Sequence, residues 1–578
     1  MSDIPSPPPP RPRVWIEPEP LPAGALDLHP DPLLAEMLFR RNLRTPDAAR
    51  AFLNPALQPP PEPYHLPGMD LAVARLCTAL DAGESIGIFG DYDADGVTST
   101  ALLARALRAA SRDTTRVHTR LPTRDEGYGL SRGAIDAFAA ASVKLLIAID
   151  CASSDHVHVA YAHSRGMDVI VLDHHQMSDT GPGDAIVVSA QLAPPGPFRD
   201  LASVGLAYLL VVALARQGCP IGGTDGEPET ALLDFVAVGT IGDVASLAGI
   251  NRALVQEGIL RLRRAPRSGF RALCRCAGLE PTSLTSQDVA FKLAPRLNAA
   301  GRMDDPAIAL DLLLTDNQAE ADRLAGDIER LNVRRRAETR RIATEAEALL
   351  ALQPSWEQRP VVVVVGTNWT NGVLGIVASQ LAERLGRPAL VMANDGVTIR
   401  GSARSVPGFD IARALEGCHD LLDHHGGHSQ AAGLSLPTTH LDNLVDALTA
   451  AVDAAGLPPS IEERIRIDAY LPTERLTLPT AHQLATLEPF GPGNETPTLG
   501  VRRVAVSQYS TIGSNDSHLK MRLETPGGPV TALYWGGAAR SRELVRRPFL
   551  DLAIQMAFDR WNGIERLQAI VQDFRVAR

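Results

Sequence analysis

Four groups of acids, each closing an apolar run, carry the residue types most able to do chemistry in this chain: Gly90-Asp91-Tyr92-Asp93-Ala94-Asp95-Gly96, Asp150, Asp173-His174-His175 and Gly242-Asp243. Carboxylates gathered in one place raise one another's pKa unless a cation compensates them. Oxygen donors with one imidazole suit a hard to borderline divalent ion, Mn2+ or Mg2+, and two such ions form the usual clamp for in-line attack at phosphorus. The chemistry expected is metal-dependent hydrolysis of a phosphoester.

Each group also has a plainer reading. Asp150 or Asp243 alone reads as a turn or helix-capping residue. The Asp-x-Asp-x-Asp-Gly run matches part of a calcium loop, but position 12 counted from Asp91 is Leu102, where such a loop needs an acid. His174 alone could be a satisfied core histidine. The joint pattern favours a metal site, because the runs before the acids can bring them together. Ser85 to Phe89, Leu145 to Ile149, Val169 to Leu172 and Phe235 to Ile241 read as buried strands or core elements. In an open parallel sheet the carboxyl ends of the strands share one edge.

The expected fold class is α/β. A Pro-rich disordered tail and a helical lead-in, with amphipathic stretches at Asp31 to Arg41 and Thr45 to Leu53, occupy residues 1–65. A parallel-sheet unit follows over 66–316. Residues 317–352 turn Ala-, Glu- and Arg-rich and read as one long connecting helix, and 353–456 as a second α/β unit with a strand at Val361 to Val365. Residues 457–578 show short alternating strands, as at Ala505 to Ser510, His518 to Leu523 and Val530 to Trp535, with the last strands over Leu550 to Phe574.

Composition excludes several classes. The six cysteines form no Cys-x-x-Cys pair, so neither a disulfide framework nor a zinc finger is indicated. Met1 to Leu21 lacks the basic start and apolar core of a signal peptide, and no apolar run approaches the ~20 residues of a membrane helix. A soluble, cytoplasmic protein is expected. The net charge of −11 argues superficially against a nucleic-acid partner, but the arginines are clustered. Arg261, Arg263, Arg264, Arg267, Arg271 and Arg275 are the better candidates for a backbone-tracking surface. Those from Arg330 to Arg341 read equally as a solvated helix face.

Further segments specify the family. They include Gly127-Tyr128-Gly129-Leu130, Pro295-Arg296-Leu297-Asn298-Ala299-Ala300-Gly301-Arg302, Gly372-Val373-Leu374-Gly375, Gly401-Ser402-Ala403-Arg404-Ser405, Gly426-Gly427-His428 and Pro489-Phe490-Gly491-Pro492-Gly493-Asn494. In this order they resemble the RecJ family of single-stranded-DNA exonucleases, within the DHH phosphoesterase superfamily, from about Pro30 to the C-terminus.

The resemblance implies a DHH catalytic domain, a DHH-associated domain and a C-terminal OB-fold barrel. It implies two Mn2+ or Mg2+ ions, with Asp93 and Asp95 holding one each, Asp150 bridging, and His174 and Asp243 completing the donor set of the second ion. Asp91 would ligate or orient, Asp173 would fix the histidine tautomers, and His175 would face the scissile phosphate. Arg296, Asn298 and Arg302 would guide the strand between two lobes, while Ser402, Arg404, Ser405 and His428 would meet phosphates. In the barrel, Lys520 and Arg522 head the cations, with Arg540, Arg542, Arg546 and Arg547, and Tyr509, Tyr534, Trp535 and Trp561 are the rings available for bases.

Asp423-His424-His425 repeats the catalytic tripeptide but reads as a structural helix end. The implied activity is 5′ to 3′ degradation of single-stranded DNA to 5′-mononucleotides, in recombination and repair, by a monomer partnered with single-stranded-DNA-binding protein and a RecQ-type helicase. Three departures from the family pattern stand out: Cys151-Ala152 after the bridging aspartate, Thr370-Asn371 before Gly372, and Ser189-Ala190. Two rival readings remain, a small-nucleotide or oligonucleotide phosphoesterase and an inactive DNA-binding scaffold. The long C-terminal region speaks against the first, and the intact acids against the second.

Overall fold

A computed structural model describes residues 13–577 of the chain except 55–60, 112, 195, 197, 220, 222–229, 265, 459, 514–515, 546–548 and 562–563. The proline run of the expected tail lies outside the described residues. The tail reading does not extend past it, because Arg13–Ile16 forms a strand, β1, that pairs in parallel with residues 463–466. Trp15 is the reason: its ring is buried and its indole N–H donates to Asp573 Oδ2 at 2.7 Å.

The first lobe is built on a parallel sheet of β2 (Ser85–Phe89), β3 (Val117–Arg120), β4 (Val143–Ile149), β5 (Asp168–Asp173) and β6 (Ile186–Ser189), in the order β3-β2-β4-β5-β6. In β4 every residue but Lys144 is buried, as befits a central strand covered on both faces. Asp91, Asp150 and Asp173 sit at the carboxyl ends of β2, β4 and β5.

Phe235 to Ile241 is not a strand. It lies in the helix Leu233–Gly242, whose C-cap is Asp243. Its residues from Leu233 to Ile241 are all buried, so it has no polar stripe to betray the helical period, and a short apolar run then reads like a buried strand. It packs with the helices Ala94–Ala110 and Ser203–Arg216 in one core that also takes in Ile88, Ile147 and Leu172.

The second lobe holds β7 (Val362–Thr367), β8 (Ala389–Asn394), β9 (Thr398–Arg404), β10 (His424–His428) and β11 (Ala431–Pro437), in the order β10-β11-β9-β8-β7; only β7 and β8 are parallel. The helix Gln318–Leu352 joins the lobes and spans about 50 Å at 1.5 Å per residue. Ala321, Leu324, Ala325 and Ile328 near one end belong to the first lobe's core. Ile342, Ala346 and Leu350 near the other pack with Val373 and Val377 of the helix Asn371–Leu385. The two lobes therefore share one strut. A Cβ at Gly372 would collide with the Arg302 carbonyl, so glycine is what lets the second lobe seat against the helix Ala294–Met303.

The C-terminal part contains β12 (Glu463–Arg466), β13 (Ala469–Tyr470), β14 (Leu499–Ile512), β15 (His518–Glu524), β16 (Val530–Tyr534), β17 (Phe549–Trp561) and β18 (Ile564–Val576). Strands β14-β15-β16-β18-β17 form a ring that closes through β14–β17 pairing. The lead-in helices Pro32–Arg40 and Pro46–Leu53 pack on this barrel, since Leu34, Met37 and Leu38 share its core with Leu499, Val504 and Phe574. No helix among the described residues is long and apolar enough to cross a membrane.

Lead-in, first lobe and barrel meet at residues 488–494. Arg252, 1% exposed, donates from Nη2 to the Glu488 carbonyl at 2.8 Å, and its guanidinium lies 3.7 Å from the Phe52 ring centroid. Burial, with Arg41 nearby, pushes its pKa down to about 9. Asn494 donates from Nδ2 to the carbonyls of Leu487 and Pro489, and its Oδ1 accepts from Arg41 Nε at 2.6 Å. Replacing Arg252 by alanine takes a donor from three carbonyls in two segments, Phe52 and Glu488-Pro489, so Arg252→Ala should cost roughly 3 kcal/mol. Urea or thermal denaturation of the two proteins checks this, and coincident curves would contradict it.

Candidate metal centre and strand-binding surfaces

The Asp-x-Asp-x-Asp-Gly run folds as a loop entering a helix. Asp93 is the N-cap of Ala94–Ala110, its Oδ1 accepting from the backbone N–H of Asp95 at 2.9 Å and of Gly96 at 3.1 Å. Gly96 is required because a Cβ there would come within 2.5 Å of the Asp91 carbonyl oxygen. Asp95 turns inward and receives the N-terminus of the helix Ser203–Arg216: its Oδ2 accepts from Ser203 N at 2.7 Å and its Oδ1 from Val204 N at 2.9 Å. Ser203 Oγ donates to Asp150 Oδ1 at 2.9 Å, tying a third acid to the same helix start.

Three overlapping sets of donor atoms result, each with its members within 4.8 Å of one another: Asp91 with Asp93 and Asp150, Asp95 with His174 and Asp243, and Asp150 with His174 and His175. Their electrostatics are those of crowded acids. Burial, then Asp93, raises Asp91 well above the ordinary carboxylate range, and burial, then Asp95, does the same for Asp150. Asp95 is pushed up to about 7 by burial and Asp93, and Asp243 to about 9 by burial and Asp95. Asp91 Oδ1 and His174 Nε2 are buried without a hydrogen-bond partner. A bound cation would satisfy both orphaned atoms and the excess charge, so the residues present fit a divalent metal.

The two histidines have opposite characters. Burial and the neighbouring His175 lower His174 to about 4, leaving a neutral ring whose Nε2 lies 3.5 Å from Asp150 Oδ1 and 3.8 Å from Asp243 Oδ2. Burial would also lower His175, but Asp173 prevails, accepting from its Nδ1 at 2.7 Å, and raises it to about 9. Burial alone would raise Asp173; hydrogen bonds from His175 and Ser153 hold it below its ordinary value. Asp173 thus orients His175 rather than joining the donor sets.

The second lobe brings Arg404 and His428 near this centre. Arg404 donates to Ser379 Oγ at 3.1 Å and to Ser402 Oγ and the Ala403 carbonyl at 2.8 Å, and burial lowers its pKa. Burial and the nearby charges of Arg404 and His175 lower His428. The lobes touch where Arg302 Nη1 donates to the Gly372 carbonyl at 2.9 Å. Burial and Arg124 bring Arg302 down to about 10, still cationic near neutral pH.

Comparison with known proteins decides the family. Residues 85–240 match a family model described as "DHH family, N-terminal domain", 358–454 the "DHHA1 domain" and 467–573 the "RecJ OB domain". The single-stranded-DNA-specific exonuclease RecJ of Bacillus subtilis is 32% identical over 555 residues, which is 95% of this chain and 69% of that protein. RecJ of Dickeya dadantii is 37% identical, with 88% of this chain and 90% of that protein covered. The chain belongs to the RecJ family. In structure it is similar to Thermus thermophilus RecJ crystallised with Mn2+, with a TM-score of 0.81, 31% identity, and 98% of this chain and 80% of that one aligned. The ring of strands β14–β18 is accordingly the OB domain of a RecJ protein.

Other residues expected at the site lie apart from the acids or serve as supports. Asn298 Oδ1 accepts from Ala94 N at 2.7 Å, holding the acidic loop itself. Arg296 donates to Glu329 Oε2 at 2.6 Å on the connecting helix. Ser405 Oγ donates to the Phe409 carbonyl at 2.7 Å. Lys520, Arg522 and Tyr509 line an open groove of about 1340 Å3 on the barrel, together with Arg566 and Gln568. Tyr534 is buried against Phe574, and Arg540 is paired with Asp573 and Glu543, so neither is a free strand contact. Trp535 is 54% exposed; Arg546, Arg547 and the Trp561 side chain lie outside the described residues.

Much of the arginine cluster after Leu260 is engaged within the protein, while Arg264 and Arg271 stay exposed. Arg261 and Arg267 donate to the Ala231 carbonyl, Arg263 to that of Leu284, and Arg267 and Arg275 pair with Asp234 and Asp322. Arg261, Arg263 and Arg267 are therefore not free for a strand backbone, because loops and helix ends left carbonyls that these long side chains reach. Asp423-His424-His425 also differs from the expected helix end. Its histidines open β10, and His425 Nε2 lies 3.6 Å from Glu416.

Four supports lie outside the site residues expected from the sequence. They are Ser203 and Val204, Gln191, whose Nε2 donates to the His174 carbonyl at 2.9 Å, and Tyr128, whose hydroxyl donates to the Asp150 carbonyl at 3.1 Å and lies 3.3 Å from His175 Nδ1. Tyr128 stands in the Gly127–Leu130 motif and Gln191 follows the Ser189-Ala190 departure, but only a helix start at Ser203 could have hinted at the first two. The Cys151-Ala152 departure leaves Ala152 at φ +76, beside Asp150 at φ +62.

Two outcomes follow. Ala152→Gly should stabilise the protein by about 1 kcal/mol by relieving left-handed backbone, read as a raised thermal midpoint. The metal-free chain should lose stability as pH rises from 6 to 9. Folded Asp95 and Asp243, with pKa near 7 and 9, hold protons the unfolded chain releases near 3.8, and His175 loses its charge near 9. A midpoint that rises over that range in chelator would contradict the assignment.

Proposed function

We propose that this chain is a divalent-metal-dependent exonuclease that degrades single-stranded DNA from its 5′ end to 5′-mononucleotides, in recombination and repair. Family membership supports the substrate class. The observation that carries the chemistry is the pair of buried, orphaned acceptors, Asp91 Oδ1 and His174 Nε2, inside donor sets that overlap at Asp150.

Asp91, Asp93 and Asp150 would hold one ion and Asp95, His174 and Asp243 the other, with Asp150 shared. Mn2+ or Mg2+ bound there would lower the pKa of water and act as a Lewis acid on the phosphoryl group. His174, neutral at physiological pH, is in the ligating form. His175 is a protonated ring with Nδ1 engaged by Asp173, which leaves Nε2 to donate toward a phosphate oxygen as charge develops. Asn298 keeps the acidic loop in place, and Arg296 braces its helix against the connecting strut.

Near the metal centre, strand binding falls to the cations that lack a carboxylate in their immediate contacts. Arg404, braced by Ser379 and Ser402, and Arg302 at the contact between lobes offer guanidinium forks for phosphate oxygens, with His428 beside them. Ser405 shapes the turn after Arg404. The barrel groove, with Lys520, Arg522 and Tyr509, would track the more distant backbone and bases. Passage between lobes would admit one strand and exclude a duplex. A cytoplasmic monomer served by single-stranded-DNA-binding protein and a RecQ-type helicase completes the proposal.

The test is hydrolysis of 5′-labelled strands of several lengths with Mn2+. Asp150→Ala should lower kcat by roughly 100-fold or more, and Arg404→Ala should raise KM about tenfold. Lys520→Ala with Arg522→Ala should flatten the log–log salt slope by about 0.7 for each phosphate no longer neutralised. Cleavage confined to di- and trinucleotides would replace the proposal by a small-substrate phosphoesterase, and absence of any metal-dependent product by a binding scaffold.

A further inference from the structure

Asp243 is held differently from the other acids. Asp91, Asp150 and Asp173 end strands of one sheet, whereas Asp243 caps a helix and is followed by Val244 at φ +62, with 67% of its surface exposed. The residue after a helix end in this conformation is usually glycine, and a β-branched side chain there is strained. Such backbone persists only where its surroundings hold it.

The hold is in part local, Ala245 N–H donating to the Thr240 carbonyl at 3.2 Å and Val244 N–H to that of Ile241 at 3.1 Å, and in part comes from the turn at residues 489–494, a family-like motif with no part in the chemistry. Leu247 N–H donates to the Pro492 carbonyl at 2.6 Å. A Cβ on Gly493 would come within 2.5 Å of Ser246 Oγ, and one on Gly491 within 2.7 Å of Leu247 Cδ1. The turn itself is rigid, with the Asn494 side chain donating to the carbonyls of Leu487 and Pro489 and accepting from Arg41. From the other side, Asn251 Nδ2 donates to the Ser246 carbonyl at 3.0 Å and to that of Asp200 at 2.6 Å. The segment 244–247 is thereby clamped three to four residues from Asp243.

We propose that the turn at residues 489–494, on the approach to the barrel, positions Asp243 for the metal centre. The inference rests on the metal reading above. It makes the fourth acid the one whose placement depends on chain beyond both lobes.

Manganese titration of the full-length protein by calorimetry tests it, alongside thermal midpoints without metal and steady-state kinetics. Gly493→Ala pushes on Ser246 Oγ, whereas in the double variant with Ser246→Ala the new Cβ meets only the Cβ atoms of residues 246 and 248, each 3.6 Å away and in ordinary contact. Gly493→Ala should weaken one Mn2+ binding event about tenfold, and adding Ser246→Ala should bring it back to within about threefold, as for other groups that orient metal ligands indirectly. Ser246→Ala alone should leave affinity unchanged, and kcat should fall in Gly493→Ala with KM for a long strand unaltered.

Unchanged Mn2+ affinity in Gly493→Ala overturns the proposal. Equal loss in the single and double variants does so too, because both carry the same backbone strain. If Gly493→Ala does not fold, Asn494→Ala must weaken Mn2+ binding in its place, and unchanged affinity there is equally fatal. An unaltered chain that binds no Mn2+ defeats the metal reading itself, which separates the two failures.

Discussion

Carboxylates that would repel one another are held together in a buried crevice, and much of the first lobe is arranged to tolerate this. Ionised acids in a low-dielectric site are costly unless hydrogen-bonded or compensated by cations. The chain answers in part with backbone N–H groups: Asp93 caps one helix, Asp95 receives the start of another, and Asp173 accepts from Ser153 and His175. The remaining excess charge appears as the raised pKa values of Asp91, Asp95, Asp150 and Asp243. The fold therefore preorganises these acids to receive positive charge.

The second constraint is registration between lobes. His428 feels the charges of both Arg404 and His175, and a strut rather than a flexible linker sets that spacing. The connecting helix is buried in the first lobe's core near one end and in the second lobe's packing near the other. The Arg302–Gly372 contact adds a direct tie. The barrel is fixed in turn through the buried guanidinium of Arg252 and the Asn494 turn, which also gather the lead-in helices.

Most of the fold was legible from local signals. The strands before Asp91, Asp150 and Asp173, the Gly- and Pro-free length of the connecting helix apart from Gly326, and the alternation in β15 all follow from side-chain periodicity. The helix Leu233–Gly242 was not legible, because complete burial removes the polar face that marks a helix. The internal bonds of Arg261, Arg263 and Arg267 were hidden for a related reason: charge in sequence does not say whether a guanidinium reaches a phosphate or a carbonyl of its own fold.

Residue types and their order stand in the chain before it folds: three alternating acids before a glycine, an Asp-His-His after a strand, and glycines where backbones must meet. Those are local properties, set by chemistry and spacing. Packing sets which acids become neighbours, that Asp243 arrives from a helix rather than a strand, that Ser203 and Tyr128 brace Asp150, and that His174 is neutral while His175 is charged. Each depends on burial and on atoms distant in sequence, and neither is written into the run of residues around the site.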